Sequence, residues 1–503
     1  MIRVRLCPSP TGLLHIGTAR AALFNVLFAR HNNGEVVFRM EDTDKERSTR
    51  ESEKDIIDGL KWLGIAWDEG MEIGGPHAPY RQSERNDIYT PYIQKLLDQG
   101  NVYHCFCTAE ALDEERKQAT EDKRPSIYPG TCAKLTSEEV KERLDRSTPS
   151  TLRFRVGTKV IQFHDLIRGD VEFDTALIGD IIIAKDIKTP LYHLAVVIDD
   201  HEMAVTHVIR GEDHISNTPK QILLIQALGF EIPEYAHLPL ILNADKTKMS
   251  KRKNKVSLNE YRREGYLPEA IINFLGLLGW NPGTEQEMFT FDELVQQFTI
   301  ERVQKSGAVF NLEKLQWINA QYIHALSREE LMRRTIPFLI DQGYLQSPKG
   351  DMIEAPEYII TKSGESIGRD TLAGYIALEQ ERAKILSEIP PAIAFCFANE
   401  LMYNPALLSW KETPVDGTRD MLEWANLILK DIPDDSFTAT KLEEVLKEAI
   451  SQKELKNGMV LWPLRIALSG QQNSPGPFEI AQALGKEKTL HRIEHAIALL
   501  PLK

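Results

Sequence analysis

Cysteine is scarce, with five residues in 503, too few for a disulfide scaffold, so the fold must rest on a buried apolar core. Long hydrophobic runs are missing too. No stretch stays apolar over the roughly 20 residues that a bilayer crossing needs, and the N-terminus enters a strand-like run at once instead of a signal-peptide pattern. A cytoplasmic protein with no membrane partner is expected. Internal repeats and low-complexity tracts are absent, which sets aside solenoids and disordered linkers. An excess of basic charge is also lacking, since the net charge is −14. That sum looks wrong for a nucleic-acid binder, but phosphate contact depends on local surface. Lys246, Lys248, Lys251, Arg252, Lys253 and Lys255 crowd into ten residues.

What is present begins at residue 2. Ile2-Arg3-Val4-Arg5-Leu6 alternates like a strand and runs into Pro8-Ser9-Pro10-Thr11-Gly12, then His15-Ile16-Gly17-Thr18. After Thr18 the apolar residues Ala22, Leu23, Val26 and Leu27 take helical spacing. Prolines cannot extend a ladder, and glycine lets backbone approach a ligand closely. The pattern is strand, tight loop, helix N-terminus, a place where free N–H groups favour phosphate. Lys248-Met249-Ser250-Lys251-Arg252 lies far downstream. Alone, the first motif is an ordinary turn and the second a solvated loop. Together, and in this order, they point to an ATP site built from both ends of a nucleotide-binding core.

The rest of the chain supports an α/β class with a parallel sheet. Strands are expected at residues 2–6 and 36–40, with helices from Thr18 and through Ile56, Leu60 and Trp62. Residues from about 82 to 190 have the character of an insertion, with β-rich runs at 151–156 and 178–184. The alternating theme resumes with the apolar runs 194–198 and 205–209 as strands, then a helix through Ile222, Leu223 and Ala227. Beyond about 320 the stripes Leu442, Val445, Leu446, Ala449, Ile450 and Leu490, Ile493, Ile497, Leu500 predict an all-helical C-terminal half.

Adenylate formation suits these motifs, because the enzyme chiefly positions reactants and stabilises charge growing on phosphate. His15 donates to a phosphate oxygen, Gly17 clears space for adenine or ribose, and Lys248 and Lys251 supply mobile ammonium groups. At these residues the chain resembles the class I aminoacyl-tRNA synthetases, and within them the bacterial-type glutamyl-tRNA synthetases. Residues 8–18 resemble the first signature, with Thr18 in place of the second histidine, and residues 248–252 the second. Similarity continues through Tyr80-Arg81-Gln82-Ser83-Glu84-Arg85, Val208-Ile209-Arg210-Gly211-Glu212-Asp213-His214, His237-Leu238-Pro239-Leu240, Tyr266-Leu267-Pro268-Glu269-Ala270, Leu277-Leu278-Gly279-Trp280, Trp462-Pro463-Leu464-Arg465 and Leu484-Gly485-Lys486-Glu487.

The resemblance implies a Rossmann-type catalytic core at 1–81 and 193–243. It also implies an inserted acceptor-end-binding domain at 82–192, a stem-contact region at 244–322 and a helical anticodon-binding region at 323–503. It implies glutamate activation by ATP with Mg²⁺ and transfer to tRNA(Glu), with tRNA(Gln) as an open second acceptor, by a monomer. Glutamate would be held by Arg5, Arg210, Glu41, Ser9 and Tyr192. ATP would be held by His15, Gly17, His214, Ile241 and Lys251, with Thr18 and Lys248 also catalytic. Val196 departs from members that carry Asn there, which removes one polar contact from the pocket wall.

Cys105-Phe106-Cys107 and Tyr128-Pro129-Gly130-Thr131-Cys132 raise one structural Zn²⁺ held by Cys105, Cys107, Cys132 and Tyr128. Some relatives place His two residues after the third cysteine, where this chain has Lys134. Reduced thiols in a small core are the alternative. Cys7 and Cys396 are expected in the core or the site wall.

Related and unrelated enzymes would differ from this chain. A glutaminyl-tRNA synthetase would carry Pro-Glu-Pro-Asn-Gly in the first motif and β-barrels at its C-terminus. A glutamyl-queuosine tRNA synthetase would stop short of the helical half. A small-molecule nucleotidyltransferase has no use for several hundred further residues, and an inactive tRNA-binding paralogue has no reason to keep His15, Gly17, Lys248 and Lys251.

Overall fold

Strand β1 (Arg3–Leu6) ends at the prolines because the loop that follows is clamped by backbone and side chains from later elements. Glu41 N–H donates to Pro8 O and Thr49 N–H to Pro10 O, and Leu14 N–H donates to Asp55 Oδ2 at 2.7 Å. Helix α1 (Ile16–His31) then starts at His15, whose side chain caps it. In the computed structural model, residues 1–249, 257–348, 351–411 and 413–501 are described. The chain divides into two units, residues 1–262 with 268–315, and residues 263–267 with 316–503.

In the first unit β2 (Glu35–Phe38) and β3 (Glu69–Gly70) continue a parallel sheet from β1, with Arg5 opposite Val37. Helix α2 (Arg50–Trp62) connects them, capped by Thr49. Then come α3 (Asn86–Asp98), β4 (Val102–Cys105), α4 (Ala109–Glu121), α5 (Ser137–Asp145), β5 (Thr151–Phe154), β6 (Val160–Asp165), β7 (Gly169–Asp174), β8 (Ile181–Asp186) and β9 (Thr189–Pro190). Strands β4, β5, β8 and β9 form one antiparallel sheet in that order.

The core resumes with α6 (Tyr192–Glu202), β10 (His207–Gly211), α7 (Thr218–Leu228), β11 (Glu234–Leu238) and β12 (Ile241–Leu242). Thr206, just ahead of β10, donates its N–H to Arg3 O at 2.9 Å, so β10 runs beside β1. Strand β11 is parallel to β10 and bridges to β6 of the inserted stretch. Helix α1 is buried nearly all round between β1, β10 and the helices α8 (Pro268–Leu277) and α9 (Phe291–Gln297), which explains why its apolar residues are not confined to one face.

The run 194–198, expected as a strand, lies inside helix α6. Every residue from Leu194 to Asp200 is buried, so the apolar face has no polar counterpart. A short unbroken apolar run of this kind shows neither period.

The second unit is helical: α10 (Arg328–Asp341), α11 (Arg369–Ala377), α12 (Val415–Lys430), α13 (Ala439–Gln452), α14 (Asn457–Ser469), α15 (Pro477–Leu484) and α16 (Lys486–Leu499). One antiparallel pair, Glu357–Ile359 with Ser366–Gly368, interrupts the all-helical expectation; three-residue strands are too short for an alternation to be visible. From the two stripes, Leu442, Leu446, Ile450, Ile493 and Leu500 are buried. Buried Arg492 ties this unit together, donating to the carbonyls of Leu468, Phe395 and Ala398 at 2.5–2.7 Å.

Candidate active site

A cavity of about 440 Å³ opens where β1, the prolyl loop, α1, α6 and the ends of β10 and β11 converge. Arg5, Ser9, His15, Gly17, Thr18, Glu41, Tyr192, Arg210, His214, Ile241 and Lys248 all line it. These are the site residues named from the sequence, except Lys251, which with Arg252 lies outside the described residues.

One end of the cavity is floored by buried charge. Arg39 donates to Glu41 Oε1 from Nε at 3.2 Å and Nη2 at 2.9 Å, and to Asp200 Oδ1 from Nη1 at 2.5 Å. Arg5 Nε lies 3.4 Å from the same Asp200 oxygen, without hydrogen-bond alignment. Burial works against the Asp200 charge, but Arg39 and Arg5 outweigh it and hold the carboxyl below its ordinary range. At Glu41 burial wins over the same two arginines, and its pKa is raised. Arg39 engages only Oε1 of Glu41, and Glu41 lines the cavity. Burial pushes the Cys7 thiol up to about 11, so it stays an unreactive wall.

Two buried guanidinium donors at this end have no hydrogen-bond partner among the described residues: Arg5 Nε and Arg210 Nη1. A buried donor left unpaired costs about 1–3 kcal/mol, more for a charged group. Arg20 Nε is a third such donor on the cavity lining, and unpaired buried cationic donors call for an anion. Val196 is buried in α6 and is not part of the cavity lining.

The other end is built for phosphate and nucleoside. His15 Nδ1 accepts from Gly17 N–H at 2.9 Å, which places the neutral ring's proton on Nε2 as a donor. A Cβ on Gly17 would meet that Nδ1 at 3.2 Å and Ile241 Cδ1 at 4.0 Å, so glycine both admits the ligand and permits the cap. Lys248 bridges to Leu242, and its Nζ lies 3.4 Å from Asp213 in a mostly exposed pair. Arg20, buried, donates to Pro239 O and to Leu278 O, anchoring the segment that leads into Ile241.

Tyr192 OH and His214 Nδ1 are 3.1 Å apart. Burial lowers His214 to about 4, with Arg210 adding to the effect, and burial raises Tyr192 to about 12.

Sequence reasoning missed Arg39, Asp200 and Arg20. The available signal was charge in apolar surroundings: Arg39 between Phe38 and Met40, and Asp199-Asp200 straight after five apolar residues.

In the inserted stretch, Sγ of Cys105, Cys107 and Cys132 lie within 4.8 Å of one another. Tyr128 OH is 3.5 Å from Cys105 Sγ and 3.4 Å from Cys107 Sγ, and accepts from Cys132 N–H at 3.0 Å. Sulfurs about 3.8 Å apart are what tetrahedral Zn–S bonds of about 2.3 Å require, and Cys107 and Cys132 are at 3.6 Å. The donors therefore fit one Zn²⁺. Lys134 is exposed.

Because the folded state binds the His214 proton more weakly than the unfolded chain, this group favours folding above pH 6.5, and that contribution is lost as acid approaches about 4. In an NMR titration the His214 ring should stay neutral down to about pH 5; a midpoint near 6.5 would contradict the buried environment.

Comparison with known proteins places the chain in a family. Residues 1–317 match the family model of the class I tRNA synthetase (E and Q) catalytic domain, and residues 330–497 match an anticodon binding domain. A glutamate–tRNA ligase of Carboxydothermus hydrogenoformans is 44% identical over 98% of this chain and 99% of its own length. Glutamate–tRNA ligase 2 of Thermoanaerobacter pseudethanolicus is 42% identical over 99% and 98%. The crystal structure of a glutamate tRNA ligase from Elizabethkingia meningosepticum in complex with its amino acid superposes with a TM-score of 0.86 at 33% identity, covering 99% of this chain and 100% of that one. The chain belongs to the class I tRNA synthetases of the E and Q type, among the glutamate–tRNA ligases.

Proposed function

We infer that this protein is a glutamate–tRNA ligase, activating L-glutamate with ATP and esterifying it to the 3′-terminal adenosine of tRNA(Glu). The observation that carries the substrate is the pair of unpartnered buried donors, Arg5 Nε and Arg210 Nη1, in the same cavity as His15, Gly17 and Lys248. The side-chain carboxylate of glutamate pairs with both arginines. Glutamine, with a neutral amide, would leave their charge unmet. Glu41 takes the α-ammonium, and Ser9 and Tyr192 add hydrogen bonds.

With both ends of the amino acid held, an oxygen of its α-carboxylate is aimed at the α-phosphorus of ATP. That oxygen forms the new P–O bond as the bond to pyrophosphate breaks, giving glutamyl-adenylate. His15 Nε2–H, the start of α1 with Thr18, Lys248 and Lys251 meet the charge that grows on the phosphates. Each such contact is worth about 3–4 kcal/mol in the transition state. The nucleoside lies against Gly17, Ile241 and His214. Mg²⁺ enters as the counter-ion of ATP. In the second step the terminal ribose hydroxyl of tRNA attacks the activated carbonyl and AMP departs. No nucleophilic side chain is needed.

Residues 82–192 clasp the acceptor end, residues 244–322 meet the inner corner of the tRNA, and the helical region from 323 reads unpaired anticodon bases by stacking and edge contacts. The enzyme acts as a monomer in the cytoplasm, where its tRNA is. Zinc held by Cys105, Cys107, Cys132 and Tyr128 gives the inserted stretch a rigid corner, with no part in the chemistry.

Charging of purified tRNA(Glu) and tRNA(Gln) with labelled glutamate, and with labelled glutamine in parallel, tests the activity. Glutamate on tRNA(Glu) is expected; glutamate on both tRNAs makes the enzyme non-discriminating. Glutamine transfer, or no transfer at all, contradicts the reading. Metal analysis should find one zinc per chain, lost in Cys132→Ser; a zinc-free, fully folded protein would leave the thiols as a reduced core.

A further inference from the structure

Arg210 differs from its neighbours in the pocket. Arg39 and Arg5 sit directly against carboxylates, whereas Arg210 has no ion-pair partner among the described residues. Its contacts are neutral. Nε donates to His237 Nε2 at 3.3 Å and Nη2 donates to Thr218 Oγ1 at 2.8 Å. Nη1 is the donor left over.

His237 is Arg210's register partner on the adjacent parallel strand, so the two side chains share a sheet face. Its other nitrogen, Nδ1, lies 2.6 Å from Asp165 Oδ2. Asp165 comes from β6, at the far side of β11, and is itself fastened by backbone. Its Oδ1 accepts from Ile167 N–H at 3.0 Å and Arg168 N–H at 2.8 Å, and His237 N–H donates to its Oδ2 at 3.1 Å. Both side chains of the pair are wholly buried.

Proton positions follow from the partners. Nε2 faces a guanidinium N–H, which can only donate, so Nε2 is the acceptor and Nδ1 carries the hydrogen given to Asp165. Burial lowers His237 below its usual pKa despite Asp165, with Arg210 adding to the effect. The ring is therefore a neutral spacer between a carboxylate and a guanidinium.

We propose that the Asp165–His237 pair, with Thr218, is a positioning device that orients Arg210 without neutralising it, leaving Nη1 and its full charge for the side-chain carboxylate of glutamate. A carboxylate in direct contact would orient the guanidinium equally well but would cancel the charge on which preference for an anion depends. The imidazole separates the two tasks. It also makes the inserted stretch, through β6, a contributor to amino-acid selection in the core. The inference rests on Arg210 reading that carboxylate, as in the proposed function.

Steady-state aminoacylation by the full-length protein tests it, reading KM for glutamate and ATP separately from kcat. Thr218→Val and Asp165→Asn should each raise the glutamate KM at least tenfold and leave the ATP KM within twofold. His237→Gln, which keeps a carbonyl acceptor for Arg210, should retain more glutamate affinity than His237→Leu. A merely structural role would lower the active fraction and hence kcat, with both KM values unmoved, and that result overturns the proposal. If Asp165→Asn does not fold, Thr218→Val, which removes only a hydroxyl, decides alone. Arg210→Gln is the control. A raised glutamate KM there with unchanged values in Thr218→Val and Asp165→Asn refutes the positioning device and spares the pocket; an unchanged glutamate KM in Arg210→Gln refutes both.

Discussion

Arg39, Arg5 and Asp200 meet beneath the cavity in a layer from which water is excluded, and the first unit depends on that meeting. The three residues come from β2's end, β1 and α6, so the charges are satisfied only when a segment near residue 200 closes onto strands from the first 40 residues. Removing one partner of a buried ion pair typically costs about 3–5 kcal/mol, since the survivor is left charged without compensation. In the same layer Arg39 engages only Oε1 of Glu41, and Arg5 Nε has no hydrogen-bond partner among the described residues. On the proposed function, folding and amino-acid selection draw on one set of charges.

The two ends of the cavity follow different physical rules. Around Arg5 and Arg210 the charged groups are buried and fixed by neighbours, with one donor on each arginine lacking a hydrogen-bond partner among the described residues, which suits recognition of a single small anion. Around His15 and Lys248 the groups are more open, and the Lys248–Asp213 pair is mostly exposed. An exposed pair of this kind is worth about 0–1 kcal/mol, so Lys248 is readily given up to phosphate. Rigid discrimination at one end and yielding cations at the other match a reaction in which charge moves only on the phosphate side.

Much of this was legible in the sequence where local chemistry and fold agree. The prolyl loop between an alternating run and a helical one marked the cavity, and Arg5, Glu41, His15 and Lys248 all line it. Helical stripes foretold the second unit. The apolar run 194–198 misled because a helix buried on all sides has no polar face to show its period. Arg39, Asp200, Arg20, His237 and Asp165 stayed hidden for another reason. Each depends on a partner far along the chain, Arg39 on Asp200 161 residues away, Arg20 on Pro239 219 away and Asp165 on His237 72 away, and no local spacing encodes such a pair. Lys251, prominent in the sequence, lies outside the described residues.

On the proposed function, glutamate is selected by Arg5 Nε and Arg210 Nη1, which have no hydrogen-bond partner among the described residues. A crystal structure of this protein with bound L-glutamate tests it most directly. The side-chain carboxylate should lie within hydrogen-bond distance of both Arg5 and Arg210 Nη1, with the α-ammonium at Glu41. A carboxylate seated away from these arginines, or the α-carboxylate in its place, would contradict it.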